Sequence, residues 1–196
     1  MIRKAQKRDV FSVYLMYKEL LTYEKEHKSY SNWVMDVYPT LSTAEEGFKN
    51  GTLYVLEENG RLVASVILNG IQPKVYGNIH WKYPCKPKDV LVVHTLCVPP
   101  SEAGKGYGKQ LIGFAFEKAA EMGIKAVRLD TFAQNEPAAA LYQSMGFRYA
   151  GMRFSILNGV IPEMQIFFEK EITEAVTPVA KGAENSGVIF NANDAA

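Results

Sequence analysis

The sequence predicts one α/β (α+β) domain, and three observations carry that reading. Amphipathic helical stripes alternate along the chain with short, nearly continuous apolar strands. Two strand pairs are joined through Asn59-Gly60 and Asn158-Gly159, dipeptides whose left-handed preference suits tight antiparallel turns. The chain has 196 residues, 47% of them hydrophobic, which is enough for one sizeable core and too little for a second full domain.

Taken in order, Ile2 to Ala5 reads as a short strand, and Val10, Val13, Tyr14, Tyr17, Leu20 and Leu21 form the apolar stripe of a first helix. Residues 23–39 lose that period, and a second short helix is expected from about Ser42 to the stop at Asn50-Gly51. Leu53 to Glu57 and Leu62 to Leu68 are strands of one hairpin. The stretch from Asn69 to Asp89, with three prolines and His80, Trp81 and Tyr83, is longer than an ordinary connection. Val90 to Val98 is an apolar strand, a third helix runs to about Met122, and Lys125 to Phe132 is the next strand. A fourth helix covers Asn135 to Ser144, and Phe147 to Phe154 with Glu163 to Glu169 complete the sheet. From Ile172 the hydrophobic pattern disappears, so the domain is expected over residues 1–171 and a tail or appendage over 172–196, where Val188-Ile189-Phe190 could add an edge strand or dock on a neighbour.

Between the strand ending at Val98 and the third helix lie Gly104, Gly106 and Gly108. Residues without a Cβ let the backbone turn tightly and approach a ligand, and the following helix aims free N–H groups and its positive dipole end at the same spot. An anion is the expected guest. The spacing excludes two familiar phosphate loops. The ATP-type loop needs Gly five residues before its Gly-Lys pair and Ser or Thr after it, whereas Gly108-Lys109 has Ala103 upstream and Gln110 downstream. The dinucleotide fingerprint needs its third glycine three residues after the second, and Gly108 follows Gly106 by two.

The run Ala103-Gly104-Lys105-Gly106-Tyr107-Gly108 resembles the signature of the GNAT superfamily of N-acetyltransferases, which is Gln or Arg, two residues, Gly, one residue, then Gly or Ala, after a strand ending Val-x-Pro. Ala103 stands where that signature has Gln or Arg, so side-chain help is missing there while the backbone amides remain. A second segment, Asn135-Glu136-Pro137-Ala138-Ala139-Ala140-Leu141-Tyr142 followed by Gly146-Phe147, is similar to the family's fourth-helix segment. The resemblance implies a central mixed, mostly antiparallel sheet of about seven strands flanked by about four helices. It also implies acetyl-CoA as acyl donor, no metal, and direct attack by a primary amine in a ternary complex.

By the same resemblance, main-chain groups at Leu96, Cys97 and Val98 bind the pantetheine arm and polarise the thioester carbonyl. The amides of Ala103, Gly104, Lys105, Gly106, Tyr107, Gly108 and Lys109 hold the pyrophosphate, with Lys105 or Lys109 adding charge, and Asn135 hydrogen-bonds the arm. Tyr142 occupies the position of the general acid, since a phenol with an ordinary pKa of about 10 stays protonated at neutral pH. Its place on a helical face with Ala138, Leu141 and Met145 equally suits a packed core tyrosine. A lysine-type amine, with an ordinary pKa of about 10.4, must lose a proton before it attacks. His94, on the face of Leu96 by strict two-residue alternation, is the first candidate base, and Glu102 and Glu163 are reserves; a buried neutral His94 bonded to backbone is the alternative.

Acceptor recognition is expected from Trp33, Tyr38 and Trp81, with His80 and Tyr83 in the same loops, although such rings also serve as packing. Lys plus Arg number 22 against 21 Asp plus Glu, so no strong field draws the chain to nucleic acid or anionic lipid. No apolar run reaches the roughly 20 residues of a membrane span, and the N-terminal MIRKAQKRDV lacks the apolar centre of a secretory signal, so a cytoplasmic location is expected. Cys85 and Cys97 are the only cysteines; with three scattered histidines they give neither a disulfide framework nor metal-ligand spacing. Three functions fit: a small-amine N-acetyltransferase, a protein N-terminal or lysine acetyltransferase, and a non-catalytic acyl-CoA-binding module. A homodimer through an exposed edge or the tail stays open.

Overall fold

The computed structural model describes residues 1–173, so the expectation for the tail falls outside the described residues. Seven strands form one sheet: β1 (Ile2–Lys4), β2 (Leu53–Glu58), β3 (Arg61–Asn69), β4 (Val90–Cys97), β5 (Ala126–Phe132), β6 (Arg148–Leu157) and β7 (Ile161–Glu171). Their spatial order is β1-β2-β3-β4-β5-β7-β6, antiparallel at every pairing except β4 with β5. Four α-helices accompany them: α1 (Val10–Glu26), α2 (Leu41–Lys49), α3 (Tyr107–Glu121) and α4 (Glu136–Ser144). Asn59 and Gly60 both take positive φ, as do Asn158 and Gly159, so both expected hairpin turns form.

The helices cover opposite faces of the sheet. On one face α3 and α4 bury Tyr107, Leu111, Ile112, Ala115 and Tyr142 against Val66, Leu68, Leu91, Val93, Leu129 and Phe168. On the other, α1 and α2 bury Val10, Val13, Tyr17 and Ala44 against Leu53, Val55, Ile67 and Cys97. The long segment after β3 is not free loop: Tyr76, Ile79 and Trp81 pack on Val90, Val92 and Phe167. It is held by Glu169, fully buried on β7, which accepts the Lys82 and Tyr83 amides at 2.6 and 3.3 Å.

Two irregularities create room for a site. β4 and β5 pair only from Val90 to Val92 against Ala126 to Arg128, after which the parallel strands diverge and leave a wedge in the sheet. Within the wedge β4 carries a bulge: Ile67 pairs with His94 but Ser65 with Cys97, one residue too many on β4, and Thr95 takes φ +47° to accommodate it. The bulge overturns the simple alternation expected for this strand. Leu96 and Val98 join the α3–α4 core while Cys97 joins the α1–α2 core, so His94 and Leu96 face opposite sides of the sheet.

Candidate active site

A single cavity of about 800 Å³ runs through the wedge, lined at one end by Gly104, Gly106 and Gly108 and at the other by Tyr38, Asp130 and Glu163. At the glycine end the chain leaves β4 through the short turn Pro100–Glu102, and Gly104 and Gly106 take φ +78° and +81° before α3 begins at Tyr107. The Ala103 N–H already donates to Pro100 O at 3.1 Å. The first of the expected donors is therefore spent, and among the described residues the unpaired amides run from Gly104 to Lys109. Six successive N–H groups at a helix N-terminus of 15 residues make an anion cradle. Gly108 serves a second purpose, because a Cβ there would stand 3.0 Å from Leu141 Cδ2 of α4 and crowd that side chain. Lys105 Nζ is engaged by Glu102 at 2.6 Å, and Arg61 holds the same carboxylate at 2.8 Å, so Glu102 braces the cradle's rim and sits far from any amine base role. Lys109 lines the cavity and is the group left to add charge at that end.

Where the cavity crosses the sheet, α4 presents Tyr142, only 6% exposed yet lining the cavity. Among the described residues its hydroxyl has no hydrogen-bond partner, although its ring packs on Phe147 and Phe168. Burial and the Asp130 charge push its pKa well above the ordinary tyrosine value, so the phenol keeps its proton. Leu96 and Val98 line the same passage, whereas the Cys97 side chain is turned away and fully buried, its thiol pushed up by burial. Asn135 also lines the cavity, but its side chain is committed locally: Oδ1 accepts the Ala138 amide at 3.3 Å, capping α4, and Nδ2 donates to Thr131 Oγ1 at 2.9 Å.

The far end is acidic. Asp130 stands on β5, two residues after Arg128, and its Oδ1 accepts the Tyr76 hydroxyl at 2.7 Å. Burial, aided by the Glu163 charge and opposed by that hydrogen bond, raises its pKa to about 6. Glu163 on β7 accepts Gln165 Nε2 at 2.8 Å and Asn32 Nδ2 at 2.9 Å, and burial raises its pKa too. The Tyr38 hydroxyl bonds Thr95 Oγ1 at 2.7 Å; burial lifts its pKa to about 12, and both carboxylates add to the effect. His94 lines the cavity with Nε2 3.0 Å from the Ile71 carbonyl, an acceptor only, so Nε2 carries the proton and Nδ1 the lone pair. Burial lowers the His94 pKa and keeps the ring neutral at pH 7.

Of the aromatic residues expected near the acceptor, Trp33 and Tyr38 line the cavity as an edge-to-face pair 5.9 Å apart. Trp81 does not. It packs on Tyr76 and Phe167, donates Nε1 to Tyr76 O at 2.9 Å, and covers the Arg128 guanidinium, 4.2 Å from its ring centre. Pattern reasoning missed Asp130 and Thr95. The strand Ala126–Phe132 carries two charges, Arg128 and Asp130, and its sequence does not say which of them meets the cavity, while nothing in the sequence marks the bulge at Thr95. Among the described residues no His, Cys, Asp and Glu side chains gather into a metal site, and no helix is long and apolar enough to cross a membrane.

Comparisons with known proteins agree with this fold. An uncharacterized N-acetyltransferase, YycN of Bacillus subtilis, is 29% identical over 130 residues, spanning 57% of this chain and 82% of that protein. The mycothiol acetyltransferase of Thermomonospora curvata is 32% identical over 108 residues, 55% of this chain but only 31% of that protein. Among solved structures, a GNAT-family acetyltransferase from Streptococcus agalactiae superposes with TM-score 0.73 at 18% identity, over 89% of this chain and 96% of that one. YncA of Salmonella typhimurium, a putative acetyltransferase solved with acetyl-CoA, gives 0.62 at 19% identity, over 92% and 98%. The family model described as the Acetyltransferase (GNAT) family matches residues 13–147, more than half of the chain. With the amide cradle, the parted strands and the buried tyrosine in place, the chain belongs to the GNAT family of acetyltransferases, enzymes that draw their acetyl group from acetyl-CoA.

Proposed function

We propose that this protein transfers the acetyl group of acetyl-CoA to a primary amine by direct attack in a ternary complex, with Tyr142 as general acid and Asp130 as general base. The observation that carries the reading is the continuity of one cavity from the free amides of Gly104 to Lys109, past the unpartnered Tyr142 hydroxyl, to Asp130. The cradle and Lys109 fit a diphosphate, and the passage between β4 and β5 fits an extended arm with Leu96 and Val98 along its wall. Asp130 takes one proton from the incoming ammonium, and the nitrogen lone pair forms the new C–N bond. The C–S bond breaks with its electron pair on sulfur, Tyr142 protonates that sulfur, and the second nitrogen proton restores the phenol. Amide and free thiol leave, and Asp130 returns its proton to solvent.

Asp130 is favoured over His94 because Tyr142 and Tyr38 both lie within its field and because its pKa of about 6 leaves it ionised at neutral pH. His94, with Nδ1 free, is the competing base. Thiol release from acetyl-CoA over a panel of amines and peptides tests the whole reading. Tyr142→Phe should lower kcat by about 10²-fold or more while acetyl-CoA affinity stays unchanged. Equal turnover of the variant and the parent, or no thiol release with any acceptor despite tight acetyl-CoA binding, would reject it and favour a binding module. Faster turnover of a peptide N-terminus or lysine peptide than of any small amine would move the acceptor to a protein.

A further inference from the structure

The acceptor end of the cavity carries more charge than proton transfer needs. Asp130 and Glu163 both line it, and the only Lys or Arg lining the cavity among the described residues is Lys109, which belongs to the glycine end. Among the described residues neither carboxylate has a cationic partner. Asp130 is held by the Tyr76 hydroxyl and Glu163 by the side-chain amides of Asn32 and Gln165, all neutral donors. Arg128, two residues before Asp130 on β5, is turned to Gln72 Oε1 at 3.0 Å and Tyr83 O at 2.9 Å beneath Trp81. Glu163 is only 5% exposed. A buried carboxylate without a countercharge is costly, and a cation bound beside it removes that cost. The unpartnered hydroxyl of Tyr142, itself 6% exposed, lines the same cavity and marks where the reacting group arrives.

The two carboxylates also spring from different levels of the sheet. Asp130 pairs across β5 and β7 with Phe167, and Glu163 lies four residues further along β7, about 13 Å of strand at 3.3 Å per residue. Carboxylates at two levels of one cavity each offer a place for a cationic group of a single acceptor. Tyr38, whose hydroxyl feels both charges, lines the same cavity with Trp33 edge-on to its ring. Such a wall suits methylene groups and adds attraction for a cation. Two hydrogen bonds bridge this end of the cavity: Asn32 donates to Glu163, and Asn158 Nδ2 donates to Val37 O at 3.3 Å, tying the α1–α2 connection to the β6–β7 hairpin.

Resting on the acetyltransfer reading above, we propose that the acceptor is a slender organic dication, a primary amine carrying a second ammonium group, with the reacting nitrogen at Asp130 and the second at Glu163. Acceptors bearing a carboxylate are disfavoured by the same two charges.

The test measures thiol release from acetyl-CoA with matched pairs, butanediamine against butylamine and pentanediamine against pentylamine, together with aminobutyrate. The expected result is a kcat/KM for the better diamine about tenfold or more above its matched monoamine, with aminobutyrate slowest, because one ion pair in a partly buried site is worth at least that factor. Glu163→Gln should collapse the diamine-to-monoamine ratio mainly through KM, and Glu163→Asp should retain part of it. Calorimetric titration of the parent protein with butanediamine and butylamine in the presence of CoA reads the same preference without the variants. Monoamines or aminobutyrate turned over as well as diamines, or an unchanged ratio in Glu163→Gln, would overturn the dication while leaving acetyltransfer standing. Absence of thiol release with every amine would overturn both.

Discussion

Asp130 is the general base of the proposed transfer, and its pH behaviour follows from where it sits. Its carboxylate titrates near 6 because burial disfavours the charge more than the Tyr76 hydroxyl supports it. If Asp130 is the base, kcat/KM should rise with pH through about 6 and level off above it, and Asp130→Asn should abolish that acid limb along with most of the rate. A limb that survives in Asp130→Asn and vanishes in His94→Ala would assign the proton to His94 instead. The same group lowers stability in a defined window. Its folded pKa lies above the ordinary 3.8, so the folded state binds the extra proton between those values and loses stability as pH rises through about 6. Asp130→Asn should therefore have a higher melting temperature than the parent at pH 8 and little advantage at pH 4, a cost of function visible by calorimetry.

At the scale of elements, the loop between β4 and α3 works because its glycines meet conformational demands that other residues resist. Gly106 caps α3 at φ +81°, a left-handed conformation that costs an Ala about 1 kcal/mol or more. Gly106→Ala should weaken acetyl-CoA binding by roughly tenfold, read by calorimetry, with little change in circular dichroism, because the strain falls on the cradle rather than on the core. The bulge in β4 is the second element-level device. By giving Thr95 an unpaired position it lets a polar side chain meet Tyr38 inside an otherwise apolar strand, and it sends His94 and Leu96 to opposite faces.

For the whole molecule, the parted β4 and β5 are affordable because the sheet is clamped on both faces. Leu111 of α3, fully buried among Val93, Val127 and Leu129, anchors the helix whose N-terminus forms the cradle. Leu111→Ala should cost about 2–5 kcal/mol in urea denaturation and should loosen acetyl-CoA binding as α3 shifts. The segment after β3 clamps the other face through Glu169, which also holds Arg148 Nη2 at 2.5 Å. Its chemistry is structural, and this explains why Trp81 serves packing rather than the acceptor.

The order of elements, both hairpin turns and the glycine loop were legible in the sequence because each depends on local spacing: the period of a helix or strand, the left-handed preference of Asn-Gly, the absence of a Cβ. Gly104 to Gly108 could thus be singled out before any fold was in hand, whereas Tyr142 stood out only through the resemblance of its segment to the family's fourth helix. Tertiary structure alone decided which groups meet. Asp130, Glu163, Tyr38 and Thr95 come from three strands and one connection, and their convergence depends on where β4 and β5 part and on one extra residue in β4. Pairing distances and burial are properties of the assembled sheet, and they set the charge of the acceptor end, which no single segment encodes.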